Sequence, residues 1–194
     1  MRNVLRFVLP FLVALGAAQA FAAPADGEKP AAQDDAARID TLFGELKRER
    51  NEKAAQRIAD RIWQEWMKSG SASIDLMMQW SNEATQKKEF SVALDFLDQI
   101  VLLQPGYAEG WNRRATVHFM MDSYSKSMAD IERTLRLEPR HFGALSGMGA
   151  ILKATGRKHL ALNAYERVLD IYPMMRNAQT EVVNLTEELA GEGI

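Results

Sequence analysis

Residues 105–139, PGYAEGWNRRATVHFMMDSYSKSMADIERTLRLEP, contain two successive patterns of helical spacing. The first pattern runs i, i+3, i+4, i+7: Trp111, Arg114, Ala115 and His118. The second lies further along: Ser127, Ile131, Thr134 and Leu135. Residues at this spacing share one face of an α-helix, and proline ends a helix because it lacks the amide donor. The stretch therefore predicts two amphipathic helices closed by Pro139, with Trp111 and His118 as core residues.

Proline recurs at a fixed interval. Pro105, Pro139 and Pro173 are each 34 residues apart, and because about one residue in twenty is proline, two further matches to a chosen first one have a chance of roughly 1 in 400. Two other repeat positions have the same period. One holds small residues, Ala93, Ser127 and Ala161, and the other holds large apolar residues, Leu97, Ile131 and Tyr165. Such a period indicates stacked supersecondary units.

The 34-residue unit resembles the tetratricopeptide repeat (TPR), whose pattern is W-x2-L-G-x2-Y, then A-x3-F, then P. The clearest match is carried by Trp111, Ala115, Tyr124, Ile131 and Pro139. The resemblance implies an all-α helix-turn-helix solenoid over residues 36–190. Its expected parts are a degenerate unit 40–73, units 74–107, 108–141 and 142–175, and a capping helix 174–190. The degenerate unit keeps Phe43, Leu46, Ala59 and Trp63 in register but has Ser71 where the proline belongs.

The first 22 residues have the order of a secretory signal peptide: two arginines, the apolar run FVLPFLVALGAA, then small residues. We expect cleavage after Ala22, or alternatively after Ala20, and a periplasmic or secreted mature chain. The rival interpretation is an uncleaved inner-membrane anchor. Residues 23–35 are rich in Ala, Pro and Asp, and predict a flexible linker. The whole chain resembles small exported TPR proteins of Gram-negative bacteria, which implies a role in cell-envelope maintenance or assembly.

Composition excludes several functional classes. The 194 residues carry a net charge of −2, which argues against a nucleic-acid binder, and contain no cysteine, which removes thiolate metal sites and a cysteine nucleophile. The three histidines lack the spacing of a metal site. The methionine doublets, such as Met120 and Met121, favour core and contact surface over a copper site, because neighbouring helical side chains point about 100° apart. No nucleophile–base pair is present. We expect a non-enzymatic protein without cofactor or metal, and no membrane-spanning segment in the mature chain.

A second stripe on the first helix of each unit predicts the functional site. In TPR proteins this stripe lines a concave groove that takes peptides. The predicted groove residues are Asp75, Met78, Gln79, Asn82, Glu109, Asn112, Arg113, Thr116, Phe119 and Met120. The stripe continues through Gly143, Ser146, Ala150 and Lys153. Asparagine can pair with a peptide backbone, Met and Phe give apolar contact, and Arg113 could meet a carboxylate.

Three alternatives to this groove stay open: a solvated face without ligand, a structural subunit that docks by its convex face or end helix, and a metal or small-molecule carrier. The carboxylate clamp of chaperone-binding TPRs is not expected, since Gly44 and Arg48 hold two of its positions. Two structural predictions accompany the register. Arg114 should pair with Asp130 on the facing helix, and Gly149 should be the small residue at which two helices approach.

Overall fold

The computed structural model describes residues 31–191, with side chains from residue 37 onwards. Its helices are α1 (Ala31–Arg48), α2 (Glu52–Trp66), α3 (Ala72–Gln86), α4 (Phe90–Leu103), α5 (Ala108–Met120), α6 (Tyr124–Leu137), α7 (Phe142–Ala154), α8 (Lys158–Ile171) and α9 (Arg176–Gly191). No strand occurs over this range, so the predicted all-α fold is confirmed. None of these helices has both the length and the apolar character needed to cross a bilayer.

The N-terminal predictions fall partly inside this range. The signal peptide 1–22 and residues 23–30 of the predicted linker lie outside the described residues. Residues 31–35 are helical, so the predicted linker is wrong for these five positions. Alanine, the strongest helix former, occupies two of them, and α1 extends without interruption into residues 36–48.

A left-handed residue marks the turn inside each of the three regular units. Lys88 (φ 61°), Asp122 (φ 53°) and Gly156 (φ 74°) hold the same repeat position, 34 residues apart. The residue after each of them donates its amide to a carbonyl five residues back, for example Ser123 to His118 at 2.9 Å. This six-to-one bond satisfies a carbonyl at the end of the first helix. The turn therefore has one geometry in all three units.

The regular units stack through close approaches between helices. A Cβ on Gly110 of α5 would lie 2.8 Å from Ile100 of α4, the second helix of the preceding unit. Within the last unit, a Cβ on Gly149 would lie 2.8 Å from the ring of Tyr165. The prediction for Gly149 is confirmed. The predicted capping helix is α9, which buries Ala178 and Leu185 against the end of the stack.

The hairpin formed by α1 and α2, called the N-terminal hairpin below, does not extend the stack. It has almost no contact with α3 and shares a hydrophobic core with α7, α8 and α9. Its turn falls at residues 49–51, several residues earlier than the regular register requires. The helices within 40–73 therefore exist, but their placement as a first stacked unit is wrong.

The hairpin crosses the N-terminal ends of the first helices of the units. At one end, Arg176 of α9 donates Nε–H to Glu52 at 3.0 Å. At the other end, the Trp66 ring stacks on His141, with centroids 4.0 Å apart and planes 7° apart. The next residue, Met67, accepts a hydrogen bond at its carbonyl from the Tyr107 hydroxyl at 3.0 Å. The hairpin thus runs from α9 past α7 to α5.

Trp111 is half-buried, which corrects its prediction as a core residue. Its indole N–H donates to the carbonyl of Pro105 at 3.1 Å, and the guanidinium of Arg114 lies 4.8 Å from its ring centroid. The guanidinium of Arg133 covers the ring at 5.8 Å. Trp111 therefore lies at the edge of the stack, where two cations replace the apolar neighbours of a core. His118, at 9% exposure, is packed as predicted.

Candidate functional site

The predicted groove residues divide into buried and accessible groups. Three of the ten are buried: Met78 at 1%, Glu109 at 1% and Asn112 at 8% exposure. The others are exposed or half-buried: Asp75, Gln79, Asn82, Arg113, Thr116, Phe119 and Met120. Met78 belongs to the core between α3 and α4. Glu109 is bonded to Asn112 and His141, and Asn112 lines a cleft beside Trp63 of the N-terminal hairpin. For these three residues, accessibility to a peptide was wrongly predicted.

Glu109 is the centre of a buried polar cluster. Its Oε1 accepts from Nε of Arg113 at 2.5 Å, and its Oε2 accepts from Nδ2 of Asn112 at 3.0 Å. Nε2 of His141 lies 3.1 Å from the same Oε2. Because Nδ1 of His141 accepts the amide of Ala144 at 3.1 Å, the ring proton is on Nε2 and is donated to Glu109. The carboxylate is therefore fully engaged within the protein.

The partners of Arg113 correct its predicted role. Besides Glu109, its guanidinium contacts the sulfur of Met67 at 3.5 Å and lies 6.0 Å from the ring centroid of Trp63. A bidentate carboxylate contact uses two N–H donors on one edge of the guanidinium, and the Nε–Nη2 edge of Arg113 is already used by Glu109 and Met67. Arg113 is instead an internal partner that links α5 to the N-terminal hairpin.

Trp63 of α2 covers the first half of the predicted stripe. A Cβ on Gly143 would lie 2.7 Å from the Trp63 ring, so only glycine allows the indole to approach α7 this closely. A shallow cleft of about 240 Å³ remains beside it, lined by Trp63, Asn112, Arg113, Thr116 and Gly143. The groove near the start of α5 is therefore occupied by the chain itself.

The second half of the stripe is open and contains a pocket of about 140 Å³. Its lining combines three predicted residues, Asn112, Thr116 and Phe119, with small residues of α5 and α7: Ala115, Gly143, Ala144 and Gly147. Phe119 is 37% exposed and Met120 is 52% exposed. The Phe119 ring also contacts Tyr124 of its own unit, with centroids 5.8 Å apart. This contact leaves its pocket-facing side uncovered.

The predicted ion pair lies on the other side of α5. Nε and Nη2 of Arg114 donate to the two carboxylate oxygens of Asp130 at 2.8 and 2.7 Å, which confirms that these residues meet. Asp98 of α4 adds a third bond at 2.8 Å. The neighbouring His118 has a pKa lowered from its usual value, because burial disfavours the charged ring more than Asp130 favours it.

Four functional positions were not predicted: Trp66, His141, Gly143 as the contact of Trp63, and Gly147 in the pocket wall. Gly143 and Gly147 are four residues apart on α7 and share one face, and this spacing could have indicated a recess. His141 follows Arg140 in a loop and matches no motif. No group of three or more His, Asp or Glu side chains suited to a metal ion occurs among residues 37–191.

Comparison with known proteins gives the class of protein. The chain is 56% identical over 154 residues to a TPR repeat-containing protein of Rhizobium etli, an alignment covering 79% of this chain and 76% of the relative. No family model matches the chain. The chain belongs to the tetratricopeptide repeat family.

More distant relatives and solved structures match only part of this chain. Small glutamine-rich tetratricopeptide repeat-containing protein 2 of Saccharomyces cerevisiae is 31% identical over 97 residues, 50% of this chain and 28% of that protein. The first TPR of Spaghetti (RPAP3), bound to the HSP90 peptide SRMEEVD, has a TM-score of 0.58 at 21% identity and covers 60% of this chain and 93% of that one. MamA gives 0.58 at 19% identity, with 71% and 81% covered. These structures support the fold.

Proposed function

We propose that the protein is an exported, non-enzymatic TPR adaptor that binds an extended segment of a partner protein in the open half of its groove, in the maintenance or assembly of the cell envelope. The observation that carries the proposal is the pocket beside Phe119. A solvent-exposed aromatic ring next to an unfilled apolar recess is stabilised when a ligand covers both.

The pocket defines the chemistry of the bound segment. Its volume of about 140 Å³ is close to that of an engineered cavity of about 150 Å³ that admits benzene. One branched aliphatic side chain or one small ring therefore fits. Met120 beside the pocket provides an adaptable apolar contact. The side chains of Gln79 and Asn82 on α3 can donate to and accept from the peptide backbone.

The relatives bound to peptides support a protein partner, and the details here differ from a carboxylate clamp. The TPR2B domain of yeast Sti1, in a complex with an Hsp70 peptide, has a TM-score of 0.56 at 14% identity, so it supports the fold alone. In this chain Arg113 is bound to Glu109 and Trp63. The proposed recognition is therefore apolar anchoring rather than capture of a terminal carboxylate.

In-cell crosslinking tests this site. A photo-crosslinking residue at Thr116, which is exposed beside the pocket, should capture a discrete protein. Gly147→Leu fills the recess from the α7 side and should reduce capture by about tenfold, the equivalent of about 1.4 kcal/mol. Glu132→Lys, on the exposed face of α6, is the matched control and should capture normally. Normal capture by Gly147→Leu would contradict the proposal.

The convex-face alternative rests on one observation. Leu102 and Leu103 at the end of α4 are 72% and 64% exposed, and neighbouring exposed leucines are suited to an interface. If this alternative is right, Leu103→Lys abolishes capture and Gly147→Leu does not.

Export is tested separately, because it depends on residues 1–22. Intact mass from a periplasmic extract should correspond to a chain that begins at Ala23. A full-length chain in the membrane fraction would indicate the anchored alternative.

A further inference from the structure

The first regular unit exposes a face that its neighbours bury. At the third position of the unit, Gly110 and Ala144 are buried against the preceding unit, whereas Leu76 of α3 is 44% exposed. At the tenth position, Val117 and Ile151 are 2% and 1% exposed. The corresponding face of α3 and α4 lies open and forms a cleft of about 320 Å³ lined by Trp80, Val92 and Phe96 among others.

The helix that covers this face in the later units is the second helix of the preceding unit. In the first interface, Ile100 of α4 is the side chain that meets Gly110 of α5. Helix α2 precedes α3, and its apolar residues keep the 34-residue spacing although the helix begins and ends earlier in its unit than α4 does. Ala59, Trp63 and Trp66 of α2, and Met67 just after it, stand 34 positions before the buried residues Ala93, Leu97, Ile100 and Val101. By repeat equivalence, Trp66 would meet Leu76.

In the structure α2 uses these same residues on the groove side instead. Trp66 stacks on His141, and Trp63 packs against Gly143. The indole Nε1 of Trp66 is buried there without a hydrogen-bond acceptor among the described residues. A buried unpaired donor is destabilising, so the groove-side packing has an unfavourable contact at its centre.

The connection to α3 is long enough for either position. Residues 67–71 link α2 to α3, five residues against the four of 104–107 and 138–141 between the stacked units. Gly70 within the link has φ +79°, a conformation that glycine adopts freely. The link therefore has a flexible residue at the point where the hairpin would turn.

One residue of the exposed face explains why the groove-side position is adopted. Glu83 occupies the tenth position, where Val117 and Ile151 are buried in the next units. Stacking α2 on α3 would remove the Glu83 carboxylate from water, which is costly for an unpaired charge. Two exposed arginines of α2 could pair with that carboxylate: Arg57, and Arg61, which in the observed position lies 3.4 Å from Glu45.

We propose that the N-terminal hairpin has two docking sites in its own chain: the observed groove-side position, and a stacked position on α3 and α4 in which it completes a first repeat. Movement to the stacked position buries Leu76 and Trp80 and uncovers the first half of the groove, from Asn112 and Arg113 to Gly143. The hairpin is thus an intramolecular competitor for the groove. Only this last consequence rests on the proposed function.

The test compares two variants that should move the hairpin to the stacked position with one control variant that should leave it in the observed position. Gly143→Ala adds a Cβ 2.7 Å from the Trp63 ring, whereas Gly147→Ala, one turn later on α7, meets only Ile131 at 3.4 Å. Both changes raise helix propensity equally, so the second is the matched control. Glu83→Val installs at the tenth position the residue found in the next unit and should stabilise the stacked position; in the groove it removes the acceptor that Gln79 uses at 3.2 Å.

Two reporters follow the movement without any partner. The chain has no cysteine, so Leu76→Cys provides a single thiol, at a position that holds Gly110 or Ala144 in the later units. In the Glu83→Val and Gly143→Ala backgrounds, maleimide should modify it about tenfold more slowly than in the Gly147→Ala background, which corresponds to about 90% occupancy of the stacked position. The distance between spin labels attached at Arg57 of α2 and Asn177 of α9, both exposed, should become longer in the Glu83→Val and Gly143→Ala variants.

The outcomes are decisive in both directions. Slower modification together with the longer distance, independent of protein concentration, supports the proposal. An unchanged distance in both variants overturns it, as does a longer distance without thiol protection, because the hairpin would then detach without stacking. Protection that increases with protein concentration also overturns it, in favour of exchange between copies. If the hairpin moves but Gly147→Leu still captures the partner normally, the proposed function fails and this inference stands.

Discussion

The stack from α3 to α8 and the N-terminal hairpin are built from the same type of helix pair but are placed differently. In the stack, each turn has a left-handed residue at one repeat position, and each second helix packs on the next first helix. In the hairpin, the turn at 49–51 has no such residue, and α2 packs across α5, α7 and α9. The shared repeat pattern therefore determines which face of each helix is buried. Contacts between residues distant in sequence determine which part of the chain covers that face.

Aromatic packing explains why the N-terminal hairpin lies on the groove side and does not stack on α3. Trp63, Trp66 and Phe142 form a cluster of tilted and edge-to-face rings, and His141 stacks on Trp66. Such pairs add to the free energy of area burial. The first regular unit offers α2 a face that includes the charged Glu83. The hairpin thus packs where the apolar contact is more extensive.

Removing the centre of the hairpin interface should have the largest effect. We expect Trp66→Ala to lower the free energy of unfolding by about 3–5 kcal/mol, as for other buried aromatic truncations, because its ring is 8% exposed among Phe43, His141 and Phe142. Trp80→Ala, 42% exposed on the stack, is the control and should change it far less. Urea unfolding measures both, and equal losses would contradict the comparison.

The buried polar cluster around Glu109, which joins α5 to His141 at the start of α7, should come second. Glu109→Gln keeps the volume but removes the charge that Arg113, Asn112 and His141 share. We expect a loss of about 2–3 kcal/mol, the range for hydrogen bonds to charged groups. Glu132→Gln on the exposed face of α6 should stay within about 0.5 kcal/mol of the parent. A neutral Glu109→Gln variant in urea unfolding would mean that the cluster does not stabilise the packing of α5 against the start of α7.

These two regions also mark how far the sequence predicts the structure. The proline period and the packing stripes predicted the stack, Gly149 and the Arg114–Asp130 contact, because these depend on residues within one unit or its neighbour. The hairpin placement depends on Trp66 meeting His141, residues 75 positions apart that no period relates. Local patterns hold no information on such a pair.

The candidate site shows the same division. Phe119 and Thr116 were predicted as groove residues and line the open pocket. Glu109 lies on the same stripe but is buried, and Asn112 lines the pocket while it is only 8% exposed. Helical spacing cannot distinguish an open position from one that is covered by other parts of the fold. Trp111 fails for a related reason, since its neighbours Arg114 and Arg133 replace the apolar contacts that its repeat position implies.

Within the stack, coupling between Arg114 and Asp130 should be measurable and smaller. The bidentate geometry at 2.7–2.8 Å and the low exposure of Asp130, 6% for its side chain, favour a coupling of about 1 kcal/mol or more. Arg114→Leu alone should cost little, because replacing a partly buried ion by an apolar group is often neutral. A double-mutant cycle with Asp130→Asn measures the pair, and a coupling of zero would show that Asp98 alone holds Arg114.

The smallest expected effect is a pH dependence inside the stack. Burial lowers the pKa of His118 below its usual value of 6.5, so the unfolded chain takes up this proton before the folded chain does. The contribution of His118 to stability is therefore complete above pH 6.5 and is lost as the pH falls from 6.5 through the folded pKa. His118→Leu should remove this slope from the free energy of unfolding measured in urea between those limits. Arg114→Leu should reduce the slope, because the positive charge of Arg114 helps to lower the pKa of His118, whereas an unchanged or steeper slope in that variant would show that the charge of Arg114 does not control the response.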